Sequence, residues 1–291
     1  MSKSSKFYAY RYFVIPNNQI AMFAEYKAEE KNNLIKDIFN KLKKVNRIEH
    51  ILNNRKNILY ATHKFSDDLY LCKFAIEHYI TKHEETEDDI KNVKDQDFPY
   101  IYILVDLKRQ IILFEKNTNV IQKMSTTKNK FENWIKKEIN DYDFSFKLEK
   151  IVYEYEFWEY VKKSDNIYEL NLNLNSPNLF EGLNKANKLL KKINGLFNNT
   201  ETDVTLENED GDLVVEKENV GGFIKYTSAG GGSWNLTADY EGKKQTFKSK
   251  NDENAKTCEL PKDIEEKISD DLKRQINREI MKIEDIIDVD N

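Results

Sequence analysis

Carboxylates beside a lysine are the residue types that hold Mg²⁺ and steady an attacking water, and the chain offers such a set in Asp210, Asp212 and Glu241-Gly242-Lys243. Gly242 separates the glutamate from the lysine in what reads as a hairpin tip, where charges are ordinarily solvated. His50, His63, His78 and His83 show no i, i+4 pair beside a glutamate, and Cys72 and Cys258 lie far away, so no zinc signature forms. Gly230-Gly231-Gly232 lacks the Lys-Ser/Thr that follows in a P-loop and the strand-to-helix spacing of a dinucleotide fingerprint. It reads as a mobile turn or bulge between strands. If exposed, it lets a partner backbone or a phosphodiester approach closely. Catalytic sets that meet only in space have no local trace, so no catalytic residue, metal or cofactor is assigned.

Charge suggests binding instead. Lys31, Lys36, Lys41, Lys43, Lys44 and Arg47 lie on one outer helical face, interleaved with aromatics of the opening segment. Lysine and arginine neutralise phosphates, and exposed tyrosines stack on unpaired bases. Lys185, Lys188, Lys191 and Lys192 form a second cluster with no acid nearby. The plainer reading of both is a solvated helix face. At the other extreme, residues 201–218 carry eight acidic residues against Lys217 alone, whereas residues 27–56 carry nine basic against four acidic ones. One pole attracts phosphates and the other repels them. Glu207, Glu209, Asp210 and Asp212, with Gly230, Gly231, Gly232 and Trp234, make a candidate surface for a host or phage protein, the acids mimicking phosphates.

The elements that must position these groups follow from periodicity. Residues 7–15 are rich in strand formers, with Phe7, Arg11 and Phe13 on one face and Tyr8, Tyr10 and Tyr12 on the other. Spacings of three and four predict a helix over 31–52, another over 128–139, and a third begun by Asn178 that buries Leu179, Phe180 and Leu183 and ends near Gly195. Residues 99–105 are almost wholly apolar, which predicts a central strand covered on both faces and paired with 110–114. Further strands are expected at 57–64, 69–79, 144–155 and 167–174, an acidic loop at 84–97, and a short helix at 156–161. Asp210-Gly211 predicts a hairpin joining 204–206 to 213–215, and short strands follow at 223–224, 234–236 and 246–247. From Pro261 a helix of some 25 residues carries Ile264, Ile268, Leu272, Ile276, Ile280, Ile283 and Ile287 in one stripe, to be buried against its own domain or, the favoured option, a second copy.

With 291 residues, 39% hydrophobic and 33% charged, the composition excludes a disordered tail, a collagen-like fibre and a disulfide scaffold. The opening residues lack the apolar core of a signal peptide and no apolar run reaches membrane-spanning length, so a cytoplasmic setting without a membrane span is expected. The reading is an α+β protein of two lobes, 1–145 with the basic helix and 146–291 with the glycine-rich hairpins. Each lobe is a mainly antiparallel sheet packed with helices, and a long amphipathic helix closes the chain.

The opening Phe7-Tyr8-Ala9-Tyr10-Arg11, the helix after it, Ile58-Leu59-Tyr60-Ala61-Thr62-His63-Lys64, the Phe98-Pro99 strand, Asp210-Gly211-Asp212-Leu213 and Lys273-Arg274-Gln275-Ile276 together resemble RexA-like phage exclusion proteins. The resemblance implies a non-enzymatic, DNA-binding homodimer acting in phage–host conflict. Gly230-Gly231-Gly232-Ser233-Trp234 has no counterpart in that pattern. Two alternatives stand beside it: a phage-encoded anti-defence protein that docks on and inhibits a host defence complex, and a metal-dependent nuclease.

Overall fold

A computed structural model describes residues 4–16, 28–142, 144–176, 185–197 and 199–284, with the backbone alone at 16, 28–32, 185 and 187. The expectations for Asn178, Leu179, Phe180, Leu183 and Ile287, and for the side chains of Lys31 and Lys185, lie outside the described residues.

The strand expected to be central is so: β7 (Tyr100–Asp106) stands in the middle of an eight-stranded sheet. On one side it pairs with β4 (Leu69–Ile76), then β3 (Arg55–Lys64) and β2 (Arg47–Leu52); on the other with β8 (Ile111–Glu115) and β1 (Ser4–Pro16). The outer edge of β1 is shared, its start pairing with β14 (Thr257–Pro261) and its end with β9 (Phe144–Lys150). β14 lies beyond residue 145 and β9 runs across it, so the expected division at 145/146 cuts through this sheet.

Alternation along β1 sorts the two faces. Tyr8, Tyr10, Tyr12 and Val14 face a core covered by α1 (Ala28–Val45) and α2 (Met124–Glu138). Phe7 and Ala9 face the opposite core, roofed by the last helix, α6 (Asp270–Ile283). The tyrosines are at most 3% exposed, so none of the three is offered for stacking on a base. α1 stops earlier than the periodicity predicts: Asn46 takes a positive φ of 62°, and residues 47–52 leave as β2. The acidic loop is a two-stranded hairpin, β5 (His78–Glu85) with β6 (Ile90–Asp97), its side chains almost all exposed.

α3 (Glu154–Lys163) leads into a second antiparallel sheet, β11-β10-β12-β13, made of β10 (Ser164–Asn175), β11 (Glu201–Glu207), β12 (Gly232–Tyr240) and β13 (Lys243–Lys248). α4 (Lys185–Phe197) and α5 (Lys217–Tyr226) pack against it through Ala186, Leu190, Val220 and Ile224. The helix α4 runs past Gly195, which does not end it. Two expectations fail here. Residues 213–215 do not pair with β11; only Asp212 forms a bridge, to Ile167. Residues 223–224 are helical, lying within α5, which buries Ile224.

The triple glycine is buried, not mobile surface, and forms a π-type turn from α5 into β12. Gly230 has φ +87°, and a Cβ there would meet Arg11 Cβ at 2.7 Å. Gly232 has φ +153°, and a Cβ would fall 2.0 Å from the Asn173 carbonyl oxygen. Both positions therefore require glycine. The closeness lets the buried Arg11 guanidinium tie three distant segments: Nε donates to Ala229 O (2.6 Å), Nη1 donates to Arg109 O (2.7 Å), and Nη2 meets Glu284 Oε1 (3.2 Å) just past α6. Burial pulls this guanidinium down from its ordinary value and Glu284 opposes that pull.

The closing helix is shorter than predicted. Ser269 caps it by accepting from the Leu272 N–H, and residues 262–267 form turns, so α6 has 14 residues. Its Leu272, Ile276, Ile280 and Ile283 are buried on the first sheet beside Ile264, with Ile268 half-buried. The seam is used inside the chain and is not free to pair a second copy.

Candidate nucleic-acid interface

α1 and α2 cover the same core on one sheet face, and both touch β2. α1 buries Ile35, Ile38, Phe39 and Leu42; α2 buries Phe131, Trp134 and Ile135. That fixes which charges point outward. Both glutamates of α2 turn inward. Glu132 Oε1 accepts from the Leu148 N–H (2.5 Å) and lies 3.5 Å from Lys128 Nζ. The Glu138 side chain, 5% exposed, bridges helices and sheet: Oε2 meets Lys41 Nζ at 2.9 Å, and Oε1 meets His50 Nε2 at 2.7 Å.

The outward charge of α2 is consequently all basic, at Lys128, Lys130, Lys136 and Lys137. On α1, Lys43 and Lys44 occupy the last turn and are exposed. Arg55 stands close enough to Lys130 that, after burial, it is the second cause lowering the Lys130 ammonium below its ordinary value. Among the described residues Lys43, Lys44, Arg55, Lys130, Lys136 and Lys137 have no ion pair. Lys130 and Arg55 act on each other, and Lys43 acts on Asp67 without pairing with it; cations without a close counter-ion keep a field that a polyanion relieves.

The expected basic residues divide accordingly. Lys43 and Lys44 have no ion pair among the described residues. Lys36 pairs with Asp68 (3.1 Å) and Lys41 with Glu138, while Arg47 pairs with Glu49 and lies 5.8 Å from the centre of the Tyr60 ring. Lys188, Lys191 and Lys192 are exposed on α4, which belongs to the second sheet and packs on α5. The α2 lysines and Arg55 were missed from sequence.

The proposed partner surface also divides. Glu207, Glu209, Asp210 and Asp212 are exposed, the turn being held by Asn208 Oδ1, which accepts from the N–H groups of Asp210 and Asp212. Gly230, Gly231, Gly232 and Trp234 are buried, Trp234 against Phe157 with ring centres 5.0 Å apart. They are out of a partner's reach. Glu241 is exposed at the β12–β13 turn, and among the described residues no three His, Cys, Asp or Glu side chains gather so as to hold a metal. None of the described helices is long and apolar enough to cross a membrane.

No protein-family model, curated protein or solved structure matches the chain.

Proposed function

We propose that the protein binds nucleic acid through the face made by α1, α2 and the β2–β3 hairpin, holding the phosphate backbone with Lys43, Lys44, Arg55, Lys130, Lys136 and Lys137. One observation carries this reading: α2 spends both of its carboxylates inward, on Leu148, Lys41 and His50, while Lys130, Lys136 and Lys137 have no ion pair among the described residues. A chain of net charge -5 thus presents one locally cationic face. With Tyr8, Tyr10 and Tyr12 in the core, recognition rests on phosphates more than on base stacking, so binding is sequence-tolerant and salt-sensitive. In a RexA-like setting such binding would serve phage exclusion.

The test is a binding titration with duplex and single-stranded DNA, comparing the native chain with a Lys43→Glu, Lys44→Glu, Lys136→Glu, Lys137→Glu variant. Loss of binding with an unchanged unfolding midpoint supports the reading. Equal binding contradicts it. The exposed acids Glu207, Glu209, Asp210 and Asp212 support a second reading, an acidic face for a defence enzyme, and capture of such an enzyme that is lost on neutralising those four residues favours it.

A further inference from the structure

The β5–β6 hairpin belongs to neither large sheet, and its two outer edges pair with no strand among the described residues. Tyr79, Ile80, Ile90 and Val93 are exposed on it. A two-stranded ribbon is marginal alone, and its open edges are templates for another strand. Thr86 and Asp89 close the hairpin by exchanging N–H···O bonds (2.8 and 3.4 Å). Such exchanges alternate along an antiparallel pair. In the continuous register of β6 the backbone groups of Lys91, Val93 and Asp95 therefore bond to β5, and those of Ile90, Asn92, Lys94 and Gln96 face the open edge. Accordingly the N–H groups of Ile90 and Gln96 donate to the neighbouring carboxylates of Asp89 (2.7 Å) and Asp95 (2.8 Å), which a pairing strand would displace.

The charge order of β6 defines the strand that fits this edge. Read outward from Val93, the strand carries Lys91 on one side and Asp95 on the other, both on the face of Val93. An antiparallel copy of β6 turned about a two-fold axis at Val93 therefore sets Lys91 of each copy opposite Asp95 of the other, on both sides of a Val93–Val93 pair. The same register sets the open backbone groups of Asn92 against those of Lys94, and those of Ile90 against those of Gln96, so the edge hydrogen bonds and the charges are satisfied together. Within one hairpin Lys82 already meets Asp95, and Glu84 stands opposite Lys91, which has no ion pair among the described residues. The joined ribbon would thus alternate in charge along its width. An axis at Lys91, Lys94 or Asp95 faces like charges at its centre, and one at Asn92 sets Lys91 against Val93. On β5 the matching register, Lys82 against Glu84, centres on His83 and runs only from Thr81 to Glu85 before the turn, whereas that of β6 runs from Ile90 to Gln96.

We propose that β6 pairs with β6 of a second copy of this chain about a two-fold axis at Val93, joining two hairpins into one four-stranded ribbon. The contact uses none of the lysines or arginines of the α1–α2 face and does not depend on nucleic acid. A pairing of seven residues is short, so the dimer is weak and concentration-dependent.

The test is sedimentation of the full chain, without nucleic acid, over a range of concentrations. The mean mass should rise from one chain toward two. Lys91→Glu and Asp95→Lys, each made alone, reverse two cross-strand pairs at once and should weaken the dimer roughly tenfold or more. An equimolar mixture of the Lys91→Glu chain with the Asp95→Lys chain should restore it, because both pairs are then of opposite sign. That rescue separates a lost contact from a damaged fold. Asn92→Pro removes an N–H that faces the open edge and is not used by β5, so it should abolish the dimer and leave the unfolding midpoint in place. The mass of a single chain at every concentration up to about 1 mM, the weak end of specific association, overturns the proposal. So does a dimer indifferent to Lys91→Glu and Asn92→Pro, or a mixture that associates no better than its two components.

Discussion

Lys41 Nζ stands 2.9 Å from Glu138 Oε2, and the other oxygen of that carboxylate stands 2.7 Å from His50 Nε2. One inward carboxylate thereby joins α1, α2 and β2, and its removal from the surface leaves the outer face of α2 cationic. Architecture and charge are set by the same side chain.

Removing it should loosen the helix pair. Glu138→Ala takes the carboxylate from His50, 21% exposed, while Lys41, 59% exposed, turns to water, so stability should fall by about 1 kcal/mol. Lys136→Ala and Lys137→Ala, at exposed positions, stay within about 0.5 kcal/mol. Urea unfolding midpoints measure both; a harmless Glu138→Ala would remove the carboxylate from this role.

The glycine turn gives a graded series. Gly232→Ala drives a Cβ into the Asn173 carbonyl and Gly230→Ala drives one onto Arg11, both at positive φ. Each should cost roughly 2 kcal/mol or more, with Gly232 the worse because backbone cannot yield without parting β10 from β12. Gly242→Ala, also at positive φ but in open space, should cost only about 1 kcal/mol. Thermal melts that rank Gly242→Ala as the most damaging would contradict the packing described.

Cys72 and Cys258 are both buried free thiols. Burial pushes the Cys72 thiol far up and the Cys258 thiol up to about 12. Since the thiolate is the reactive form, neither should be modified by a disulfide reagent in the native chain, and both should react on unfolding. Rapid native-state labelling of either one would show that its core opens.

Lys147 Nζ joins the sheets, meeting Glu149 Oε1 of its own strand at 3.0 Å and Glu201 Oε1 of β11 at 3.2 Å. Burial opposes its charge, but the two carboxylates outweigh that and hold the ammonium above its ordinary value. Glu201 is held below its ordinary value, its own burial penalty being exceeded by Asn173 and Lys147. A raised lysine gives stability that is whole below about pH 10.4 and lost as pH rises through the folded value. A lowered glutamate gives stability that is whole above about pH 4.3 and lost as pH falls through the folded value. Glu201 is 41% exposed, so its share is below about 1 kcal/mol. The stability difference between the native chain and Glu201→Gln should be present at pH 7 and shrink as pH falls below about 4.3; a constant difference would contradict the linkage.

The sequence was most legible where one element carries one unbroken signal. β7 is apolar at nearly every position and is central; Phe131, Trp134 and Ile135 mark the buried side of α2. It was least legible where tertiary contacts decide. Ile48 continues the helical spacing of Leu42 and Val45, yet Asn46 turns the chain into β2. The alternation of Tyr8, Tyr10 and Tyr12 gave the correct face but not that two helices cover it. The outward lysines of α2 were in view, but their isolation depends on Glu138. That residue falls four after Trp134 and seven after Phe131, on the apolar stripe, a position that itself demands a buried partner.

The central claim is that the α1–α2 face neutralises phosphates, and the slope of log Kobs against log salt concentration for duplex DNA tests it most directly. Each backbone contact contributes about -0.9 to that slope. The native chain should give a steep slope, and reversing Lys43, Lys44, Lys136 and Lys137 together should flatten it by roughly 3–4. A slope unchanged by those four reversals would contradict the account.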